Sequence, residues 1–308
     1  MDRGGAVARF LSALPFALLL GATADGVKLP VREARWLAPE SLYAGFSREP
    51  AECYAPPADP VRRRRAEIGR IAFRTPLLLG GQAARAGLSC ASCHRNGRGN
   101  PDFHFPGLSG PPGTADVTAS LMSSHRGDGR ANPKPIPDLG GPRAALKISR
   151  DRQSRALESF IRGLVVEEFD GPEPPVEVLD GLAAYVRALR PEACRPGYTR
   201  SRLAGRLDRV DEAVELALAE QGGTRRLLLA AARSQLGTVD ERFAVPGGEA
   251  ARELLREADR DLRALRSGAG DIGAWRRQWP ERRRRLLRLE SRSLFEPARL
   301  RRALRARR

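Results

Sequence analysis

The sequence predicts an all-α chain in two parts, and three observations carry that expectation. Toward the C-terminus apolar residues recur at helical spacing, as in Leu203, Leu207, Val210, Val214 and Leu218, with charged residues between them. Glycine and proline clusters cut that pattern into units at Gly222-Gly223, Pro246-Gly247-Gly248 and Gly268 to Gly270. No βαβ alternation is present. A chain of 308 residues that is 41% hydrophobic is long enough for two modest domains and too apolar for disorder.

Taken in order, residues 1–24 read as a secretory signal peptide. Arg3 and Arg9 begin it, Leu11 to Leu20 form a short apolar run, and Ala22-Thr23-Ala24 supplies a small-x-small cleavage site. Residues 25–60 are proline-rich and aperiodic apart from Ala34 to Leu37, so an extended lead-in is expected, with Trp36 as a packing residue. The first domain spans 61–195. It opens with an Arg-rich helix carrying Gly69 and Phe73 and passes through glycine- and proline-rich loops from Gly107 to Pro142. It then forms a helix over Ser154 to Gly163, with Leu157, Phe160 and Ile161 on one face, and closes with a helix around Leu179 to Leu189.

A helical accessory domain, a bundle or hairpin pair, is expected over 197–308, with helices at Arg202 to Glu220, Arg225 to Leu236, Glu249 to Arg266 and Ala274 to Ser291. It contains no histidine or cysteine. Its end is Arg-rich, at Arg276, Arg277, Arg282 to Arg285 and Arg299 to Arg308, with Trp275 and Trp279 nearby. Such a run reads either as a docking surface or as solvated helix faces and a frayed tail. The formal net charge is +17, almost all of it arginine, since Lys28, Lys134 and Lys147 are the lysines. That charge attracts acidic partners without choosing among a redox protein, an anionic lipid surface and a nucleic acid.

Cys90-Ala91-Ser92-Cys93-His94 is the C-x-x-C-H signature of covalent haem c attachment. Two thiols three positions apart can each add across a haem vinyl group, and the next residue, His94, is then directed at the iron. A half zinc site would want a second close ligand pair, and a redox-active C-x-x-C would want a βαβ setting; neither is present. One haem in an exported protein leaves no expectation of a nucleic-acid partner. It points instead to a redox partner with an acidic docking face and to peripheral membrane contact through the basic C-terminus.

Further on, Pro106-Gly107-Leu108-Ser109-Gly110, then Gly113, resembles the proximal loop of the cytochromes c. The resemblance implies that the Pro106 carbonyl accepts a hydrogen bond from the His94 ring. Gly69 with Phe73, and Leu179 to Leu189, resemble that family's two crossing helices, which makes 61–195 a cytochrome c-like haem domain. Residues from about 65 to 190 are similar to the haem domains of the bacterial di-haem cytochrome c peroxidase family. Ile68 to Phe73, Leu88 to His94 and Asp128-Gly129-Arg130-Ala131 carry the likeness. This chain has a single C-x-x-C-H, which excludes a two-haem relay within it. Where the two helices cross, Cys53 and Cys194 would come close enough for a disulfide, in keeping with an oxidising compartment.

The opposite face of the iron decides the chemistry. Met122 and His125, three residues apart, are the candidates for sixth ligand, and on a helical turn they would share a side. His104 lies too near Pro106 to serve. With that position open, His125 would act as acid and base toward peroxide, and Arg126 would stabilise developing charge on oxygen. The leading expectation is periplasmic electron transfer by a mono-haem cytochrome. The alternatives are a single-haem enzyme reducing hydrogen peroxide and a non-catalytic haem subunit of a larger redox complex.

Overall fold

The computed structural model describes residues 29–306, apart from residues 119, 120, 126, 128, 143, 145 and 146. The expected leader, 1–24, lies outside the described residues. The chain is 57% helix and 7% strand, so it is all-α. Among the described residues the strands form three two-stranded ribbons. No described helix is long and apolar enough to cross a membrane.

The lead-in is not extended. Short 3-10 turns at Arg32–Arg35 and Pro39–Ser41 run into helix α1 (Leu42–Ser47) and strand β1 (Arg48–Pro50). Val31, Trp36, Leu37, Leu42 and Phe46 are all buried, and turning the backbone is what lets such closely spaced side chains face one core. Trp36 packs as expected, its ring 6.2 Å from that of Phe103.

Helix α2 (Pro60–Ala72) begins where Asp59 accepts a hydrogen bond from the Arg62 amide and Pro60 fills the first turn. Short helices α3 (Pro76–Leu79), α4 (Gly81–Ala86) and α5 (Cys90–Cys93) follow. Two small antiparallel ribbons come next. Strand β2 (His94–Arg95) pairs with β3 (Arg98–Gly99), and β4 (Thr114–Ala115) pairs with β5 (Lys134–Pro135).

Helix α6 (Ala156–Gly163) continues through a π turn at Leu164–Glu168 and leads to α7 (Val176–Ala188). In α6, Leu157 and Ile161 are buried but Phe160 is exposed. The inward position beside Leu157 belongs to Glu158, which meets the Arg187 guanidinium at 2.6 Å. Helices α2 and α7 cross at Gly69 and Gly181.

Strand β6 (Tyr198–Arg200) returns to pair with β1, opposing Arg200 to Arg48. Just outside that ribbon, Cys53 and Cys194 form a disulfide. The second part is α8 (Leu203–Leu218), α9 (Gly222–Phe243), α10 (Glu249–Ser267), α11 (Ile272–Arg288) and α12 (Pro297–Arg305). Helix α9 outruns the expected Arg225 to Leu236, because Val239 and Phe243 extend its buried face. Part of the presumed tail is α12, which packs against α1 with Leu300 buried.

Within the Arg-rich end Arg282 and Arg283 turn toward neighbouring helices, while Arg276, Arg277, Arg284 and Arg285 stay exposed. Arg282 pairs with Glu257 and Asp261, and Arg283 pairs with Asp208 and Asp211. Trp275 and Trp279 stack at 4.9 Å, both buried, and the Trp279 indole donates to Asp211. The two parts share one buried apolar cluster, with α2 touching α8 and α9, and α3 touching α9. Arg242 of α9 is fully buried, 3.4 Å from Glu33 of the lead-in and 4.6 Å above the Phe46 ring.

Candidate functional site

The Cys90–His94 turn is presented by local devices that the sequence spells out. Ser89 and Ser92 cap α5 reciprocally, with the Ser89 amide donating to Ser92 Oγ at 3.0 Å. The Ala91 amide donates to the Phe73 carbonyl at 3.0 Å and so ties the turn to the end of α2. Behind it sits Asn100, 1% exposed, which donates from Nδ2 to the Ser92 carbonyl at 2.8 Å and from its amide to the Cys93 carbonyl at 2.9 Å. Asn96 and Gly97, at φ 52° and 76°, turn β2 into β3. Asn-Gly is the dipeptide such a two-residue hairpin favours, a signal that could have found this ribbon from sequence.

Cys90 and Cys93 are half-buried and unbridged. Burial pushes each thiol up to about 12, so both are protonated at neutral pH. A redox-active C-x-x-C needs the opposite, a thiol lowered toward neutrality. Among the described residues no three His, Cys, Asp or Glu side chains converge as a metal-binding group.

His94 is held from the side. Its Nδ1 lies 3.0 Å from the Pro137 carbonyl, while burial pulls the ring's pKa down to about 4 against that hydrogen bond and the charge of Asp138. The neutral ring donates its Nδ1 hydrogen to that carbonyl, leaving the lone pair on Nε2. Its neighbour is Phe73, 6.3 Å away by ring centroid, which in turn meets Tyr185 edge-on at 5.1 Å. The Tyr185 hydroxyl donates to Glu52 at 2.6 Å, and Glu52 also accepts from Arg70 and Arg74.

The acceptor expected at Pro106 is therefore supplied by Pro137. Strand pairing explains the exchange. β5 lies on β4, the Ile136 amide reaches the Gly113 carbonyl at 2.9 Å, and the Leu139 amide reaches the Gly97 carbonyl at 3.0 Å. This draws Pro137 across the His94 turn. Gly99 permits the approach, since a Cβ there would sit 2.9 Å from the Ile136 carbonyl oxygen. Asp138 fixes the exit. Burial opposes its ionisation, but Arg98 and the amides of Gly140 and Gly141 outweigh that and hold the carboxyl below its usual range. Pro106 instead opens a turn in which the Leu108 and Ser109 amides return to the Phe105 carbonyl. Pro137-Asp138-Leu139 repeats the Pro-x-Leu spacing of Pro106-Gly107-Leu108, so the sequence held two equivalent signals.

Met122 and His125 do not share a face, because the stretch between them is not helical. Met122 is 2% exposed and belongs to the apolar core, whereas His125 is exposed, its Nδ1 2.9 Å from Asp170. Ser124 donates to the same carboxylate from its amide and hydroxyl. His104 is bound by its backbone to the Trp36 carbonyl. Arg126 and Asp128 lie outside the described residues.

No family model, curated protein or solved structure matches the chain. Cys90, Cys93 and His94 present the donor chemistry that a covalently held haem would use: two unbridged, protonated thiols and one neutral imidazole with Nδ1 committed to Pro137.

Proposed function

We propose that this chain is an exported mono-haem c-type cytochrome of electron transfer, with haem bonded to Cys90 and Cys93 and iron bound by His94. The observation that carries this reading is the His94 to Pro137 hydrogen bond, which commits Nδ1 to a carbonyl and reserves Nε2 as a ligand. When bound, the haem supplies a one-electron ferric and ferrous couple. The chain's own residues fix the imidazole orientation through Pro137, raise its basicity through that bond, and wall the site with Phe73 and the Asn100-braced turn.

Met122, buried in the apolar core, is the proposed sixth ligand, because a thioether on the iron would raise the potential as suits an electron carrier. The Cys53–Cys194 disulfide agrees with an oxidising, periplasmic setting. The redox partner is proposed to carry an acidic face, and arginines of α12, with Arg301 over the Tyr43 ring, offer it a basic one. The same basic C-terminus is the proposed point of contact with a membrane surface.

A second reading is favoured by one observation. The Asp170 carboxylate orients His125 and leaves its Nε2 available as a base, as a peroxide-reducing site would require.

One preparation tests both readings: the full chain exported from a host that matures c-type haems. Haem should stay on the polypeptide after denaturation, and the Cys90→Ala/Cys93→Ala variant should lose it. A low-spin ferric spectrum altered by Met122→Ala supports the carrier. A high-spin spectrum with His125-dependent peroxide turnover supports the enzyme. Absence of bound haem in the matured wild type overturns both.

A further inference from the structure

Between α12, α1 and the β1–β6 ribbon lie two adjoining recesses, of about 430 and 540 Å³. Tyr43 of α1 borders both. The wall of the first also has Tyr198 and Pro297, and that of the second has Pro39 and Leu304. Tyr198 is 55% exposed, so its ring is open to a partner.

The rim is basic, and its charge is not compensated from within. Arg48, Arg200, Arg301 and Arg305 line the recesses against the carboxylate of Glu40. Arg200 donates to the Phe295 carbonyl at 3.3 Å and lies 3.9 Å from Glu296. Arg48, Arg301 and Arg305 meet no carboxylate among the described residues. Two of them are held in place all the same. The Arg48 guanidinium lies 4.6 Å from the centre of the Tyr198 ring, and that of Arg301 lies 4.9 Å from the centre of the Tyr43 ring. Stacking occupies the face of a guanidinium and keeps its edge N–H groups for a bidentate contact with a carboxylate.

The shape selects the kind of anion. Leu300 lies beside the first recess and Leu304 beside the second, one turn of α12 apart, or about 6 Å along the axis. Alternate side chains of an extended chain are spaced about 6–7 Å. An extended segment therefore enters both recesses in register, whereas a flat lipid surface spans them without filling them. Arg95, which follows His94, donates to the Arg48 carbonyl at 3.1 Å, so β1 links the first recess to the Cys90–His94 turn.

We infer that these recesses are a docking groove for an extended acidic segment of a partner protein, with apolar side chains at alternate positions. The apolar side chains seat beside Tyr43, and the carboxylates between them bind Arg48 and Arg301. The groove specifies the acidic partner of the proposed function and rests on that reading for the partner, but no haem enters its chemistry.

The test is fluorescence anisotropy of a labelled peptide of alternating glutamate and leucine, titrated with the full matured chain. Saturable binding of one peptide per chain is expected. Arg48→Gln/Arg301→Gln should weaken it about tenfold or more, as should glutamine for glutamate or serine for leucine in the peptide. Arg284→Gln/Arg285→Gln removes the same charge from exposed α11 and should leave the affinity unchanged. Equal losses in the two double variants would reveal general charge attraction and overturn the groove. So would equal affinity for the leucine and serine peptides, or no saturable binding. Phosphatidylglycerol vesicles serve as the rival probe: a loss of vesicle binding in Arg48→Gln/Arg301→Gln with peptide binding intact assigns the face to a lipid surface and overturns the groove. Haem retention is read by absorbance on the same preparation, so failure of peptide binding with haem in place leaves the cytochrome reading standing, and peptide binding without haem does the reverse.

Discussion

Gly69 and Gly181 touch backbone to backbone: a Cβ on Gly69 would lie 1.8 Å from the Gly181 carbonyl oxygen. No rotamer relieves such a clash, because the obstacle is main chain. Gly69→Ala should therefore separate α2 from α7 and destabilise the protein by about 2–3 kcal/mol. Gly205→Ala, at an exposed position of α8 with nothing within 4 Å, should instead stabilise by about 0.5–1 kcal/mol. Urea unfolding of the two variants measures both signs.

The Cys53–Cys194 bridge spans 141 residues of sequence. The double variant Cys53→Ser/Cys194→Ser should lose about 2–5 kcal/mol, much of it through the gain in unfolded-chain entropy. Thiol titration of the denatured protein before and after reduction should show two additional thiols on reduction.

Glu52 governs acid stability. Burial disfavours its charge, but Arg74 and Arg70, with hydrogen bonds from Arg70 and Tyr185, overcome that and lower its pKa to about 2. The folded value lies below the unfolded one. The stabilisation, on the order of 3 kcal/mol, is therefore full above about pH 4.5 and is lost as pH falls toward 2. Glu52→Gln should flatten the stability profile over that window and lower stability at neutral pH, as read by denaturant midpoints at several pH values.

Gly99 controls how closely residues 136–138 approach His94. Gly99→Ala would push the Ile136 carbonyl away and lengthen the His94 to Pro137 bond. With haem bound as proposed, a less basic imidazole would stabilise ferric iron less, so the midpoint potential of the matured protein should rise. Potentiometric titration checks the direction; an unchanged or lower value would falsify the proximal role of Pro137.

Helical periodicity was readable in α8, α10 and α11 because each buries a single apolar stripe. The C-x-x-C-H turn and Gly69 were equally plain, since each is a local chemical or steric requirement. Pro137 was not, because its position depends on β4 and β5 pairing across a loop. The resemblance to the cytochrome c loop points to Pro106 alone and carries no sign of the strand pairing that brings Pro137 to the ring. The turns of the lead-in are illegible for a related reason: Val31, Trp36 and Phe46 have no regular period, and only the core they enter relates them. Most of the arginine run is exposed, as its charge suggests, but the pairing of Arg282 with α10 and of Arg283 with α8 is not legible, since ion pairs between helices leave no mark along a single helix.

The burial of Arg242 against Glu33 makes the two halves of the chain one thermodynamic body. Removing residues before α2 would strand a desolvated cation in α9, and removing α9 would strip the lead-in of its floor. Neither half is a portable module. Heating should melt them together in a single calorimetric peak, and a fragment ending after β6 should be recovered unfolded rather than as a minimal working unit.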